Sequence, residues 1–98
     1  MDCPKSLTVG GIKIKVAKAD LLSGGVFGQY EHDKHLILID ESLEGEELAE
    51  TLRHEIMEAA LCIGGTAFCE GMETEAMVRC CDSLFFPVWD KIREQYFS

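Results

Sequence analysis

Basic residues are scarce in this chain: nine lysines and arginines stand against 18 acidic residues, giving a net charge of −9. A surface of that sign repels phosphate backbones and anionic membranes, which argues against nucleic acid and membrane as partners. Long apolar runs are missing too, so no segment has the length to span a bilayer. The opening residues Met1-Asp2-Cys3-Pro4-Lys5 lack the charged-then-apolar pattern of a secretory leader, and a reducing cytoplasm is the expected compartment. Also absent are any C-x-x-C pair, glycine-rich phosphate loop, nucleophile elbow, internal repeat or interdomain linker. With 98 residues and 47% hydrophobic content, residues 1–98 are expected to form one domain around one core.

Five cysteines are present, an odd number, and Cys80 and Cys81 are adjacent, which suits no regular disulfide framework. Cys62, Cys69, Cys80 and Cys81 form either a thiolate metal site or a set of small buried hydrophobes. Several fall at apolar-periodic positions, which favours the second reading.

The fold class expected is α+β: a small antiparallel sheet of about three strands from the first forty residues, then two to three helices. Leu7 to Ala17 alternates apolar and polar residues around Gly10-Gly11, with Lys13, Lys15 and Lys18 on the solvent side. Ser23-Gly24-Gly25 breaks the chain. Val26–Tyr30 and Leu36–Ile39 then read as a hairpin joined by the polar turn Glu31–His35, the second strand apolar enough to be covered on both faces. Beyond it, Leu48, Leu52, Ile56, Ala59 and Ile63 recur at three- and four-residue steps, the apolar stripe of one helix. Glu46 and Glu47 favour its first turn, and Gly64-Gly65 ends it. A second helix is expected from near Gly71 through Phe85, ended or kinked at Pro87, and a short third one carries Trp89, Ile92 and Tyr96.

The chemistry concentrates on Leu52–Leu61. His54 and Glu58 are four residues apart, so on a helix they point the same way, one turn apart and opposite the apolar stripe. A histidine and a carboxylate held side by side can ligate a divalent cation, and Glu55, one position along, flanks such a site as a proton acceptor. The other reading of H-E-x-x-E is a solvated helix face on which Glu50, Arg53 and Glu58 are surface charges. A second acidic cluster, Glu70, Glu73 and Glu75, starts the next helix; Glu75 and Arg79 are spaced for a surface ion pair. Asp82 lies two turns beyond Glu75, where it could support His54. His32 and His35 read as exposed turn residues rather than ligands.

The ordered series Gly28-Gln29-Tyr30, Leu36-Ile37-Leu38-Ile39-Asp40, Thr51-Leu52-Arg53-His54-Glu55, Glu73-Thr74-Glu75-Ala76 and Phe86-Pro87 resembles the zincins. In particular it is similar to the small ImmA/IrrE-like metallopeptidases of phages and mobile elements. The resemblance covers about Val26 to Pro87. It implies a metal-dependent peptidase or hydrolase with a divalent metal, zinc being the expected ion. His54 matches the first ligand, Glu55 the general base, and Glu75 (or Glu73) the third ligand. The departure is Glu58, where the family's T-L-x-H-E-x-x-H motif has its second histidine. One nitrogen and two carboxylates make a harder, more anionic donor set than two nitrogens and one carboxylate. Two functions are compatible with the resemblance: a hydrolase acting on a peptide or protein, or a catalytically inactive scaffold that binds or regulates a protein partner. If the chain is phage-encoded, the compartment is the host cytoplasm.

Overall fold

A computed structural model describes residues 3–65 and 74–97, with the backbone alone at Thr74 and Glu75. The class is α+β as expected. Strands β1 (Ser6–Val9), β2 (Ile12–Ala19), β3 (Gly28–Glu31) and β4 (Leu36–Asp40) precede helices α1 (Gly45–Ile63), α2 (Thr74–Cys80) and α3 (Phe86–Tyr96). The sheet departs from the expectation in two respects. It has four strands rather than three, because Gly10-Gly11 separates two strands, and it is mixed rather than wholly antiparallel.

The parallel pair has a simple origin. The order is β1-β2-β4-β3, with β1/β2 and β4/β3 antiparallel and β2/β4 parallel. Chain reversal at residues 20–27 sets β3 antiparallel to β2, and the hairpin reverses the chain again. By slotting between β2 and β3 instead of adding outside β3, β4 becomes parallel to β2. Its composition favours that interior place: Ile37 and Ile39 are fully buried on one face, and Leu36 and Leu38 half-buried on the other.

Leu7, Val9, Ile14, Val16, Ile37 and Ile39 form the inner face of the sheet. Against them pack Leu48, Leu52, Ile56 and Ala59 of α1, and Phe85, Trp89 and Ile92 from the C-terminal helices. The predicted stripe of α1 is therefore its buried face, with Ile63 partly covered at the end. Glu46 and Glu47 occupy the first turn, and the Gly64 amide closes the helix on Ala60. The chain after Thr74 is helical through Pro87. A π-helical turn, Cys81–Phe85, joins α2 to α3, and Pro87 lies in the first turn of α3, where its missing N–H costs little. The expected start near Gly71 lies outside the described residues. Among those described, no helix is long and apolar enough to cross a membrane.

Two close contacts fix the sheet against its surroundings. Gly28 lies so close to α1 that a Cβ there would sit 2.7 Å from Thr51 Cγ2 and 3.1 Å from Glu55 Cγ. Asp40, 1% exposed at the end of β4, accepts hydrogen bonds from the Leu21 and Leu22 amides at 2.9 and 2.8 Å. It also accepts from the Ser42 amide and hydroxyl, and these bonds, with the hydroxyl contribution largest, hold its carboxyl well below the usual carboxylate range.

Gly28→Ala should therefore destabilise the protein by about 1–3 kcal/mol in urea unfolding, because the added methyl would press on the Thr51 and Glu55 side chains of α1. Gly24→Ala, which meets nothing within 4 Å, should change stability by less than about 0.5 kcal/mol. Asp40 has a lowered folded-state value, so its contribution is complete above the unfolded value near ~3.9 and is lost as pH falls through the folded one. The melting temperature of Asp40→Asn should lie below that of the parent at neutral pH, and the gap should close on acidification.

Candidate metal centre

The middle of α1 carries the site. Helical spacing puts His54 and Glu58 on one face, and their side chains meet, Nε2 to Oε1, at 3.2 Å. That face is open, with 69% of the His54 side chain and 50% of the Glu58 side chain exposed. Glu55 is rotated by about 100° along the helix and points toward the sheet. Only 5% of it is exposed, a rare state for a glutamate, and its Oε1 has no hydrogen-bond partner among the described residues.

Ligand atoms from His54, Glu55 and Glu58 all lie within 4.8 Å of one another. Ligands on one tetrahedral ion with bonds near ~2 Å are about 3.3 Å apart. The His54–Glu58 pair is already at that distance, and both side chains are exposed enough to turn toward Glu55. The three residues form a group that could hold a divalent cation.

The electrostatics agree with the burial. Desolvation raises the Glu55 carboxyl to about 7, helped by the like charge of Glu58 and opposed by His54. The cause of this burial is the approach of β3: the backbone at Gly28 lies against the Glu55 side chain, where a larger residue would collide with it. A cleft of about 410 Å³ opens beside His54 and Glu55, walled by Val26, Phe27 and Gly28 on one side and by Thr51, His54 and Glu55 on the other.

Of the residues the sequence singled out, the structure thus brings together His54, Glu55 and Glu58. Glu73, Glu70 and the side chain of Glu75 lie outside the described residues, as does Cys69. Asp82 is exposed on the π-helical turn and does not join the cluster. His32 and His35 are half-buried, not exposed as expected, because the 3-10 turn His32–Lys34 folds them back. His32 Nδ1 lies 2.8 Å from the Tyr30 hydroxyl, and its ring packs edge-on against His35. Cys3 and Cys80 are buried and Cys62 and Cys81 half-buried; none belongs to the ligand group, in keeping with a packing role. Three contributors were not read as site elements in the sequence: Val26 and Phe27, which wall the cleft, and Asp40, which holds the segment carrying them. An aspartate closing a buried strand and followed two residues later by serine was the available signal.

The raised carboxyl of Glu55 gives a prediction for the metal-free protein. From its ordinary value near ~4.3 up to about 7 the unfolded chain is ionised while the folded chain keeps its proton. Stability should fall as pH rises through that window and level off above it. Glu55→Gln should lack this slope, so unfolding free energies of the two proteins plotted against pH should diverge in the variant's favour between those limits. Parallel curves would mean that Glu55 ionises normally. The site stands on its geometry: no family model, no curated protein and no solved structure matches this chain.

Proposed function

We propose that the chain is a metal-dependent hydrolase of peptide bonds, with His54 and Glu58 as ligands on the open face of α1 and Glu55 as the proton-transferring carboxylate beneath them. The observation that carries this reading is the combination at Glu55: a buried carboxylate oxygen without a partner, within 4.8 Å of a histidine and a second carboxylate. An uncompensated buried oxygen destabilises the fold by about 1–3 kcal/mol, and a cation or a reacting water shared with His54 and Glu58 would supply the missing partner. The donor set fits a divalent ion such as zinc, which as a Lewis acid would polarise a carbonyl. Glu75 or Glu73 is the proposed third ligand.

The sheet edge supports a peptide as substrate. β3 is an outer strand, and its backbone bonds to β4 alternate: the Asp40 amide donates to the Phe27 carbonyl at 2.8 Å. By that alternation Gln29 faces β4, while the N–H and C=O groups of Gly28 and Tyr30 face the outer edge, which pairs with no strand among the described residues. An extended chain could add there as a further strand, running past the cleft beside Glu55.

A second reading has one observation in its favour. His54 and Glu58 already satisfy one another at 3.2 Å, as an exposed i,i+4 pair does without any ion. On that reading the chain is a protein-binding or regulatory scaffold of the same shape.

Calorimetric titration of untagged protein separates the two. Zinc should bind at one site per chain, His54→Ala should abolish binding, and Glu58→His should tighten it at least tenfold by supplying a second nitrogen. Glu55→Gln should keep most of the affinity and lose peptide hydrolysis, since its role is to move a proton. Absence of zinc binding in the parent, with none restored by Glu58→His, would leave the scaffold reading.

A further inference from the structure

We infer that the arch from Leu21 to Phe27 is a side-chain subsite, and that the extended peptide bound beside His54 and Glu55 carries a bulky apolar residue packed on Val26 and Phe27. The peptide's placement rests on the function proposed above; the subsite itself rests on separate observations.

Apolar exposure is concentrated there. Leu22, Val26 and Phe27 are 40%, 41% and 54% exposed, half of the large exposed hydrophobics among the described residues, within six positions of one another. Isolated surface hydrophobics are ordinary, but a cluster bordering a cleft marks a contact surface. Val26 and Phe27 are not merely near the site, because they wall the same cleft as Thr51, His54 and Glu55.

The arch is also held in place. The Asp40 carboxylate takes the amides of Leu21 and Leu22, while the Asp40 amide donates to the Phe27 carbonyl, so one residue fixes both ends. Within the arch, the Gly24 and Gly25 amides bond to the carbonyls of Leu21 and Leu22, and Val26 bonds back to Leu21 at 3.2 Å. A surface presented this way loses little conformational entropy when a ligand packs on it. Asp40 is then a positioning residue: it touches no ligand and sets the wall that does.

Charge narrows the ligand further. The exposed carboxylate of Glu50 lines the cleft beside the apolar wall, within a chain of net charge −9. Acidic peptides are disfavoured there, and neutral or basic ones with a large aliphatic or aromatic side chain are favoured.

The test uses the metal-free protein, so that it stands apart from any zinc titration. N-acetyl-leucine N-methylamide and N-acetyl-glycine N-methylamide are titrated into ¹⁵N-labelled full chain, and amide shifts are followed. The leucine compound should shift Val26, Phe27, Gly28 and Thr51 saturably and bind about tenfold more tightly than the glycine compound, as expected for one partly buried aliphatic side chain. N-acetyl-aspartate N-methylamide should bind more weakly than both. Phe27→Ala should bring the leucine compound down to the glycine level, and Phe27→Leu should retain the preference, which guards against simple misfolding of the alanine variant. Equal binding of leucine and glycine compounds, shifts confined to other surfaces, or no saturable shift with the leucine compound would each overturn the inference. A persistent leucine preference alongside a failed zinc titration would remove the metal reading and leave the subsite standing.

Discussion

The contact between Gly28 and the Thr51–Glu55 turn of α1 governs how the site is built. At this point the outer strand and the helix are separated by less than a side chain, since a Cβ on residue 28 would collide with Thr51 at 2.7 Å. That closeness takes Glu55 out of water and leaves its neighbours His54 and Glu58 in it. A glutamate in the middle of an amphipathic helix would otherwise turn toward solvent, as Glu50 and Glu58 do. Glycine at position 28 permits that approach, and the resulting desolvation, with the like charge of Glu58, shifts the ionisation of the carboxyl toward neutral pH.

Glu55 is buried at a cost in stability. The rest of the inner layer is apolar and closely fitted, with Ile37, Ile39, Leu52, Ile56 and Phe85 almost wholly excluded from solvent. An apolar residue at position 55 would complete that layer without leaving an oxygen unsatisfied. Asp40, the other buried carboxylate, shows the contrast: four donors surround it, and it secures the arch and the end of the sheet. One buried carboxylate is fully partnered and structural. The other is partnered incompletely and borders a cleft, the condition expected of a group that acts on something outside the chain.

Much of this architecture was legible in the sequence, for identifiable reasons. The stripe from Leu48 to Ala59 marks α1 because a helix repeats every 3.6 residues and its buried face must be apolar. His54 and Glu58 meet because that same repeat brings fourth neighbours together. Strand pairing was less legible. Alternation identifies the strands, but whether β4 joins outside β3 or slots between β2 and β3 depends on tertiary packing, so the parallel pair could not be read from local pattern. Nor could the depth of Glu55, which depends on how close a strand about 27 residues earlier in the chain comes to the helix. Val26 and Phe27 read as strand residues, since alternation carries no information about an arch that stops short of the sheet.

The metal reading requires that the donor atoms of this chain be the His54 imidazole and carboxylate oxygens and not its cysteine thiols. Zinc K-edge X-ray absorption on protein loaded with one equivalent of zinc addresses this directly. The expected result is a first shell of nitrogen and oxygen alone at about 2.0–2.2 Å, with the outer scattering of one imidazole from His54. Sulfur scatterers near ~2.3 Å would place the metal on the cysteines and contradict the α1 site.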